Sequence, residues 1–189
     1  MRYPSKTKIG VMGSSSGIAD DAERDRLGTL ASELGRAIAE RLCVLITGAT
    51  SGLPDMVSRA AREFGGQTIG ISPAISAEEH VSKYKLPADG AEVIIYTGFG
   101  LKGRNVINIR ACDIVIIFGG GIGTLNEFTI AYDEDKVIGV LVGSGGLADR
   151  IKEITSLSTK PRGKVLFNSD PKELVDMCLA ALNKVDELT

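Results

Sequence analysis

The stretch Ile114-Val115-Ile116-Ile117-Phe118-Gly119-Gly120-Gly121-Ile122-Gly123-Thr124-Leu125-Asn126-Glu127 decides the fold, because an apolar, strand-like run ends there in a glycine-rich turn. Four glycines occupy the five positions after Phe118, and a helical pattern begins at Thr124. The peptide N–H groups of such a turn have almost no side-chain cover, so they can approach a ligand at the positive end of a helix. The stretch therefore predicts an anion site, and a phosphate is the anion that we expect.

Glu127 needs its own explanation, because it lies about one turn into that helix and a phosphate cradle has no use for a second negative charge. One interpretation is a capping box, in which Thr124 caps the helix and Glu127 reaches back to its N–H. A capping box explains Thr124 and Glu127 but not the four glycines. The other interpretation is that Glu127 acts on a ligand bound at the glycine turn.

Short apolar runs alternate with helical patterns along the chain. The predicted strands are Lys8–Met12, Cys43–Thr47, Gln67–Ile71, Glu92–Tyr96, Asp113–Phe118, Val137–Val142 and Lys164–Phe167. The predicted helices are Ala22–Arg41, Leu53–Phe64, Arg104–Cys112, Thr124–Tyr132, Gly146–Ile154 and Pro171–Lys184, and Ser72–Gly90 is the least regular segment. This alternation predicts an α/β fold, a three-layer Rossmann-like architecture with an open parallel sheet of about seven strands and helices on both faces. We expect residues 1–189 to form a single nucleotide- or phosphate-binding domain of this type.

The architecture predicts where the site lies, because ligands bind beyond the carboxyl ends of the strands in an open parallel sheet. Glycine-bearing loops follow four of the predicted strands, at residues 13–17, 48–52, 98–100 and 119–124. A helix opened by Arg104 starts at the same edge and brings Arg104, Asn105 and Asn108 to one face. We expect Arg104 and Glu127 to meet the glycine loops on this rim. The residues expected to contact the ligand are Gly13, Ser14, Ser15, Gly48, Asn105, Gly120, Gly121, Ile122, Gly123 and Thr124.

Composition excludes several classes of protein. The 189 residues carry a net charge of −2, and their longest basic cluster, residues 160–164, is short, so no nucleic-acid partner is expected. No apolar run approaches the roughly 20 residues of a membrane span, and the opening Met1-Arg2-Tyr3-Pro4 is not typical of a signal peptide. Three dispersed cysteines and one histidine predict no metal site and fit a reducing cytoplasm. We therefore expect a cytoplasmic protein.

Known cofactor and nucleophile motifs are absent from the sequence. The loop after the first predicted strand is not GxGxxG, and no acid ends the second predicted strand, which disfavours NAD. The P-loop pattern GxxxxGK[ST] and the esterase pattern GxSxG are also missing. His80 follows two glutamates in a polar segment, where a catalytic role is not expected.

Residues 120–127 fit the signature GGxGTxxE, and here the chain resembles the Lonely Guy cytokinin-activating phosphoribohydrolases, a group often labelled lysine decarboxylases. The first loop, Gly13-Ser14-Ser15-Ser16, resembles the glycine–serine loop of that family, and residues 52–57 resemble its GLMxxV pattern. Arg104 with Arg110 and Asp113 fits its R-x5-R-x2-D spacing. The resemblance covers roughly residues 8–142, and its motifs are specific in combination.

The resemblance implies an enzyme that cleaves the N-glycosidic bond of nucleoside 5′-monophosphates to free base and ribose 5-phosphate, with Arg104 and Glu127 as the catalytic pair. Cleavage builds positive charge on the sugar, and a carboxylate can stabilise that charge or orient the attacking water. The glycine loop would hold the phosphate, and Arg104 would offset repulsion between the phosphate and Glu127. The resemblance also implies a homodimer or a higher homo-oligomer, a small-molecule nucleoside monophosphate or phosphorylated cofactor as partner, and no required cofactor.

The chain departs from that family at three positions. Gly119 stands in place of the proline before GGxGT, Asn105 in place of the lysine after the catalytic arginine, and Ile107 in place of an acid. These departures resemble the branch that contains the molybdenum-cofactor carrier proteins, which bind a phosphorylated pterin. The alternative function is therefore a non-catalytic carrier of a phosphorylated small molecule. A third class, single-stranded DNA binding on a related Rossmann core, fits the acidic net charge poorly.

Overall fold

Seven parallel strands form the centre of the protein in a computed structural model that describes residues 6–15, 20–159 and 163–186. The strands are β1 (Lys8–Gly13), β2 (Val44–Thr47), β3 (Gln67–Ser72), β4 (Val93–Tyr96), β5 (Ile114–Phe118), β6 (Val137–Leu141) and β7 (Lys164–Asn168). Their order across the sheet is β4-β3-β2-β1-β5-β6-β7, and every neighbouring pair is parallel. The predicted open parallel sheet is confirmed.

Helices cover both faces of this sheet. The described helices are α1 (Asp21–Glu40), α2 (Leu53–Glu63), α3 (Ala77–Ser82), α4 (Gly100–Arg110), α5 (Ile122–Asp133), α6 (Ile151–Thr155) and α7 (Pro171–Asp186), with a 3₁₀ turn at Ala148–Arg150. Apolar residues of α1, α2 and α7 pack in one core, and those of α4, α5 and α6 pack in the other. The three-layer α/β architecture is therefore confirmed.

Strand β5 shows why a parallel sheet forms. Successive side chains of a strand point to opposite faces, and in β5 Ile114, Ile116 and Phe118 enter the first core while Val115 and Ile117 enter the second. All five residues are completely buried. A strand that is apolar on both faces needs a helical layer on each side, which is the arrangement observed.

Several predicted boundaries were wrong, and one of these changes the site. Helix α4 begins at Gly100 rather than Arg104, so Arg104 lies in its second turn. The start was missed because α4 has no side-chain cap and opens from Phe99 into glycine. The predicted helix over Gly146–Ile154 is divided into the 3₁₀ turn and α6, and the irregular segment 72–90 contains α3.

The sheet reverses its direction of winding between β1 and β5, which are neighbours. The chain leaves β1 toward β2 on one side and leaves β5 toward β6 on the other. Gly13 of β1 is in register with Phe118 of β5, so the loops that follow these two strands begin side by side and then diverge. Such a switch point opens a crevice at the carboxyl edge of the sheet.

Candidate functional site

A cavity of about 450 Å³ lies at this switch point. It is lined by every predicted site residue except Ile122. The predicted residues in its wall are Gly13, Ser14, Ser15, Gly48, Arg104, Asn105, Gly120, Gly121, Gly123, Thr124 and Glu127. Ile122 opens α5, and its side chain is exposed rather than in the cavity wall. The part of the first loop at residues 16–17 lies outside the described residues.

The N-terminus of α5 faces the cavity with peptide N–H groups. Helix α5 begins at Ile122, its cap is Gly121, and no side chain caps it. The capping box between Thr124 and Glu127 is therefore not formed. The first four N–H groups of a helix have no intrahelical acceptor, and together with the helix dipole they attract an anion. These groups belong to residues 121–124, of which Gly121, Gly123 and Thr124 line the cavity.

The two glycines before this terminus have backbones that other residues rarely adopt. Gly119 has a φ of +61° and Gly120 a φ of +101°. A Cβ on Gly120 would lie 2.7 Å from the side chain of Thr124. The N–H of Gly120 donates to the Ser14 hydroxyl at 2.9 Å, so this predicted ligand contact instead joins the first loop to the glycine loop.

Arg104 and Glu127 face each other across the floor of the cavity. Arg104 Nη1 lies 3.9 Å from Glu127 Oε1, and the two residues are only 4% and 8% exposed. They come from α4 and α5, which pack together. The sequence-based prediction that both would lie on one rim agrees with this geometry.

Gly48 accommodates the guanidinium of Arg104. A Cβ at position 48 would lie 1.9 Å from Arg104 Nη1 and 2.7 Å from its Cζ. Gly48 is predicted to contact a ligand and lines the cavity, and its missing side chain also makes room for Arg104. The next residue, Ala49, has a φ of +52°, so the backbone is strained beside this contact.

Burial acts on both charges of this pair. It raises the pKa of the Glu127 carboxyl, which the charge of Arg104 and a hydrogen bond from Asn108 partly oppose. It lowers the pKa of the Arg104 guanidinium, an effect that Glu127 opposes. Arg104 Nε and Asn108 Oδ1 are buried without a hydrogen-bond partner within the described structure. The Arg104–Glu127 pair is thus largely removed from water, and the hydrogen-bonding capacity around it is not fully used within the protein.

Other predicted residues have roles in holding the site together. Asn105 Nδ2 donates to Asn126 Oδ1 at 2.8 Å and joins α4 to α5. The carbonyl of Ser15 accepts the Ser51 hydroxyl at 3.0 Å, which connects the first two glycine loops. Arg110 lies outside the cavity wall and pairs with Glu134. The side-chain amide of Asn105 is therefore engaged within the protein, whereas Ser15 uses only its backbone carbonyl.

Six residues of the cavity wall were not predicted from the sequence. The remaining lining residues are Val11, Met12, Thr50, Pro54, Leu101 and Lys102. Thr50 lies in a glycine loop that the sequence had indicated, so its hydroxyl could have been included. Leu101 and Lys102 were missed because the predicted helix began after them. The charge of Lys102 reaches Glu127 and opposes the rise of its pKa.

His80 lies in the interior of the protein and is not part of the cavity wall. His80 is fully buried, and its ring nitrogens contact the Ser72 hydroxyl at 2.8 Å and the Pro87 carbonyl at 3.0 Å. These contacts give it a structural role, because they join α3 to the end of β3 and to the loop that contains Pro87.

Among residues 6–15, 20–159 and 163–186, no three His, Cys, Asp or Glu side chains form a metal-binding group. No helix in those ranges is long and apolar enough to cross a membrane.

Comparison with known proteins gives one family and two informative groups of relatives. The sequence profile of the SLOG cluster4 family matches residues 6–175. A cytokinin riboside 5′-monophosphate phosphoribohydrolase of Arabidopsis thaliana is 31% identical over 175 residues, which span 86% of this chain and 72% of that protein. The likeness to this enzyme therefore extends over most of the chain.

Two solved structures represent the second group. The molybdenum cofactor carrier protein from Chlamydomonas reinhardtii is 32% identical with a TM-score of 0.71, and the match covers 93% of this chain and 99% of that chain. The molybdenum cofactor binding protein from Rippkaea orientalis is 28% identical with a TM-score of 0.73, over 95% and 99% of the two chains. The fold is shared with proteins whose names describe binding of a cofactor rather than its conversion.

Proposed function

The chain belongs to the SLOG cluster4 family, and we propose that it hydrolyses the N-glycosidic bond of a nucleoside 5′-monophosphate. One observation carries the proposal. Glu127 is a buried carboxylate in the wall of a cavity that otherwise presents peptide N–H groups, Arg104 and Lys102. A site that only binds an anion gains nothing from a buried acid, because the acid repels the anion. A site that cleaves a glycosidic bond needs one.

The reaction uses water and balances without a cofactor. Water adds to C1′ of the ribose while the bond from C1′ to the base nitrogen breaks, and the electron pair leaves with the base. The base takes up one proton, the water loses one, and the products are free base and ribose 5-phosphate. Positive charge develops on C1′ and the ring oxygen in the transition state, where a nearby carboxylate is most stabilising.

Each part of the cavity has a role in this reaction. The N–H groups at residues 121–124 bind the 5′-phosphate and so fix the distance from the ribose to the floor. Glu127 stabilises the charge at C1′ or accepts a proton from the attacking water. Arg104, at 3.9 Å, keeps Glu127 ionised and reduces its repulsion of the phosphate. Glu127 is the single carboxylate among the described lining residues, so the base takes its proton from another source.

A panel of substrates tests the proposal. Purified protein is incubated with AMP, N6-substituted AMPs, GMP, CMP and UMP, and free base is measured by chromatography. Adenosine is the control, because it has the same glycosidic bond but no phosphate for the α5 terminus. We expect base from at least one monophosphate and none from adenosine under the same conditions. Absence of base across the whole panel would contradict a hydrolase.

A second candidate is a carrier of a phosphorylated small molecule, such as a nucleotide or a molybdenum-cofactor pterin. Gly119 supports it, because this residue stands where the resembling enzymes have proline and its φ of +61° is closed to proline. The likeness to the Chlamydomonas and Rippkaea cofactor proteins over more than nine-tenths of the chain supports it as well. A carrier uses the same phosphate cradle without turnover.

Mass spectrometry of small molecules released from freshly purified, denatured protein separates the two candidates. A phosphorylated pterin at near-stoichiometric amounts, in protein that releases no base from monophosphates, identifies a carrier. Turnover of a monophosphate by protein that releases no pterin identifies the hydrolase.

A further inference from the structure

Ser144 contacts the glycine loop although it lies in no motif and follows a different strand. It is in the loop after β6 and is 3% exposed. Its hydroxyl accepts the N–H of Gly119 at 2.9 Å and donates to the carbonyl of Leu141 at 2.5 Å. One buried hydroxyl therefore joins the end of β6 to the first residue of the loop that precedes α5.

Neighbouring contacts show that the peptide groups of Gly119 and Gly120 are all used within the protein. The N–H of Leu147 donates to the Gly120 carbonyl at 2.8 Å, and the N–H of Ala148 donates to the Gly119 carbonyl at 3.0 Å. The N–H of Gly120 binds the Ser14 hydroxyl at 2.9 Å. The two glycines are thus held in place by the protein, and the ligand is left with the N–H groups of the following residues, at the start of α5.

The loop after β6 approaches the glycine loop closely enough to set its conformation. A Cβ on Gly146 would lie 2.4 Å from the Gly120 carbonyl oxygen. Gly119 has its φ of +61°, a conformation in which its N–H points to Ser144. A buried N–H without an acceptor is costly, so without the hydroxyl the peptide would rotate to find another partner. Rotation at residue 119 would change the direction of the N–H groups that follow it.

We propose that Ser144 is a positioning residue for the phosphate cradle: it holds the Gly119 peptide so that the N-terminus of α5 faces the ligand. The proposal rests on the proposed function, in that the cradle binds the phosphate of the ligand. Ser144 is not among the residues that line the cavity, and both of its hydrogen bonds are to the backbone of this chain. Its removal should weaken phosphate binding and leave the chemical step unchanged.

The test compares Ser144→Ala with Ser58→Ala. Ser58 is a matched control, because its hydroxyl is also buried but has no hydrogen-bond partner in the described structure. Binding of AMP, inorganic phosphate and adenosine is measured by calorimetry for both variants and the wild type. For Ser144→Ala we expect about tenfold weaker binding of AMP and phosphate, with adenosine unchanged. In a turnover assay KM should rise by a similar factor while kcat stays within about twofold.

The outcomes distinguish this inference from the proposed function. Unchanged AMP and phosphate binding in Ser144→Ala, or an equal loss for adenosine, would overturn it, since a general structural role weakens all three ligands. A wild type that binds neither AMP nor phosphate would overturn it as well. If the wild type binds AMP but releases no base, only the proposed hydrolase activity is contradicted. The calorimetric comparison of Ser144→Ala with the wild type then still tests the role of Ser144. If Ser144→Ala does not fold, Ser144→Cys replaces it, because the thiol is a weaker acceptor of similar size, and unchanged phosphate binding in that variant overturns the inference.

Discussion

Two arginine–glutamate pairs join α4 to α5 and to its C-terminal cap, Glu134, and they differ in almost every physical respect. At the far end of the helices Arg110 Nε contacts Glu134 Oε1 at 2.8 Å, with side chains 68% and 27% exposed. At the cavity Arg104 Nη1 lies 3.9 Å from Glu127 Oε1, with side chains 5% and 10% exposed. The same two residue types thus form a short, solvent-exposed ion pair at one end of the helices and a longer, buried ion pair at the cavity.

The difference separates a structural contact from a functional one. An exposed pair contributes little to stability, because water solvates both charges when they are apart. In a buried pair, the attraction between the charges must offset their loss of solvation. Arg104 and Glu127 offset this loss only in part, because their charged atoms are 3.9 Å apart and Arg104 Nε has no hydrogen-bond partner in the described structure. Poorly compensated charges in a cavity wall are typical of sites at which a ligand completes the interactions.

The largest expected effect comes from neutralising the acid of each pair in turn. If the protein is a hydrolase, Glu127→Gln should lower kcat/KM by about 100-fold or more, because the carboxylate that stabilises the sugar cation is lost. Glu134→Gln changes the same chemical group at the exposed pair and should stay within about twofold. Base release from the best substrate of the panel measures both variants. Equal activity of Glu127→Gln and the wild type would remove Glu127 from the mechanism.

Removing the arginine of each pair tests how much the buried charges depend on each other. At pH 7, Arg104→Met should lower the free energy of unfolding by about 3 kcal/mol, because Glu127 is left buried without its counter-ion. Arg110→Met should change it by less than about 1 kcal/mol. Urea denaturation at pH 7 and at pH 5 measures both. The Arg104→Met loss should shrink at the lower pH as Glu127 takes up a proton, and a loss independent of pH would contradict this origin.

The contact between Gly48 and Arg104 allows the buried pair to be disturbed without changing either charge. Gly48→Ala places a methyl group 1.9 Å from the present position of Arg104 Nη1 and should move the guanidinium. We expect about tenfold lower kcat/KM or ligand affinity with the fold retained, since a flexible side chain can move aside. Gly28→Ala in α1 is the control, because its Cβ meets only the Met56 methyl group at 3.3 Å. Similar effects of the two variants would show that Gly48 has no special relation to the site.

The smallest effect expected is a displaced acid limb in the pH profile. Burial raises the pKa of Glu127 above its ordinary 4.5, so the limb of kcat/KM that reports its ionisation should lie above pH 4.5. The raised pKa of Glu127 also makes the free energy of unfolding depend on pH. Just above pH 4.5 the folded state retains a proton that the unfolded chain has released, so the unfolding free energy falls as the pH rises through this window. An acid limb at or below pH 4.5 would show that burial does not dominate the ionisation of Glu127.

The fold could be predicted because its signals are local. The buried residues of β5 and the glycine run after them indicated a parallel strand, a tight turn and a helix with little need for distant information. The start of α4 could not be predicted, because Gly100 and Gly103 weaken the helical pattern and no capping residue precedes them. That error concealed Leu101 and Lys102, which the structure places in the cavity wall.

The sequence predicted which residues line the cavity better than it predicted the hydrogen bonds that these residues make. Ser14 and Asn105 were predicted to contact a ligand, and both line the cavity, but each also holds another part of the protein. Ser144 was missed because a single serine in a glycine-rich loop has no signal in the sequence. Its importance comes only from its hydrogen bond to Gly119, a residue 25 positions away.

The sequence by itself determined the parallel sheet, the glycine loop at the end of β5 and the presence of Glu127 in the helix that follows this loop, although α5 begins at Ile122 rather than Thr124. These follow from hydrophobic periodicity and turn chemistry, which act over a few neighbouring residues. Only the tertiary structure decided that Arg104 approaches Glu127 to 3.9 Å, that Gly48 makes room for the guanidinium and that Ser144 holds Gly119. Those distances depend on how strands and helices from separate parts of the chain pack, and no local pattern encodes that packing.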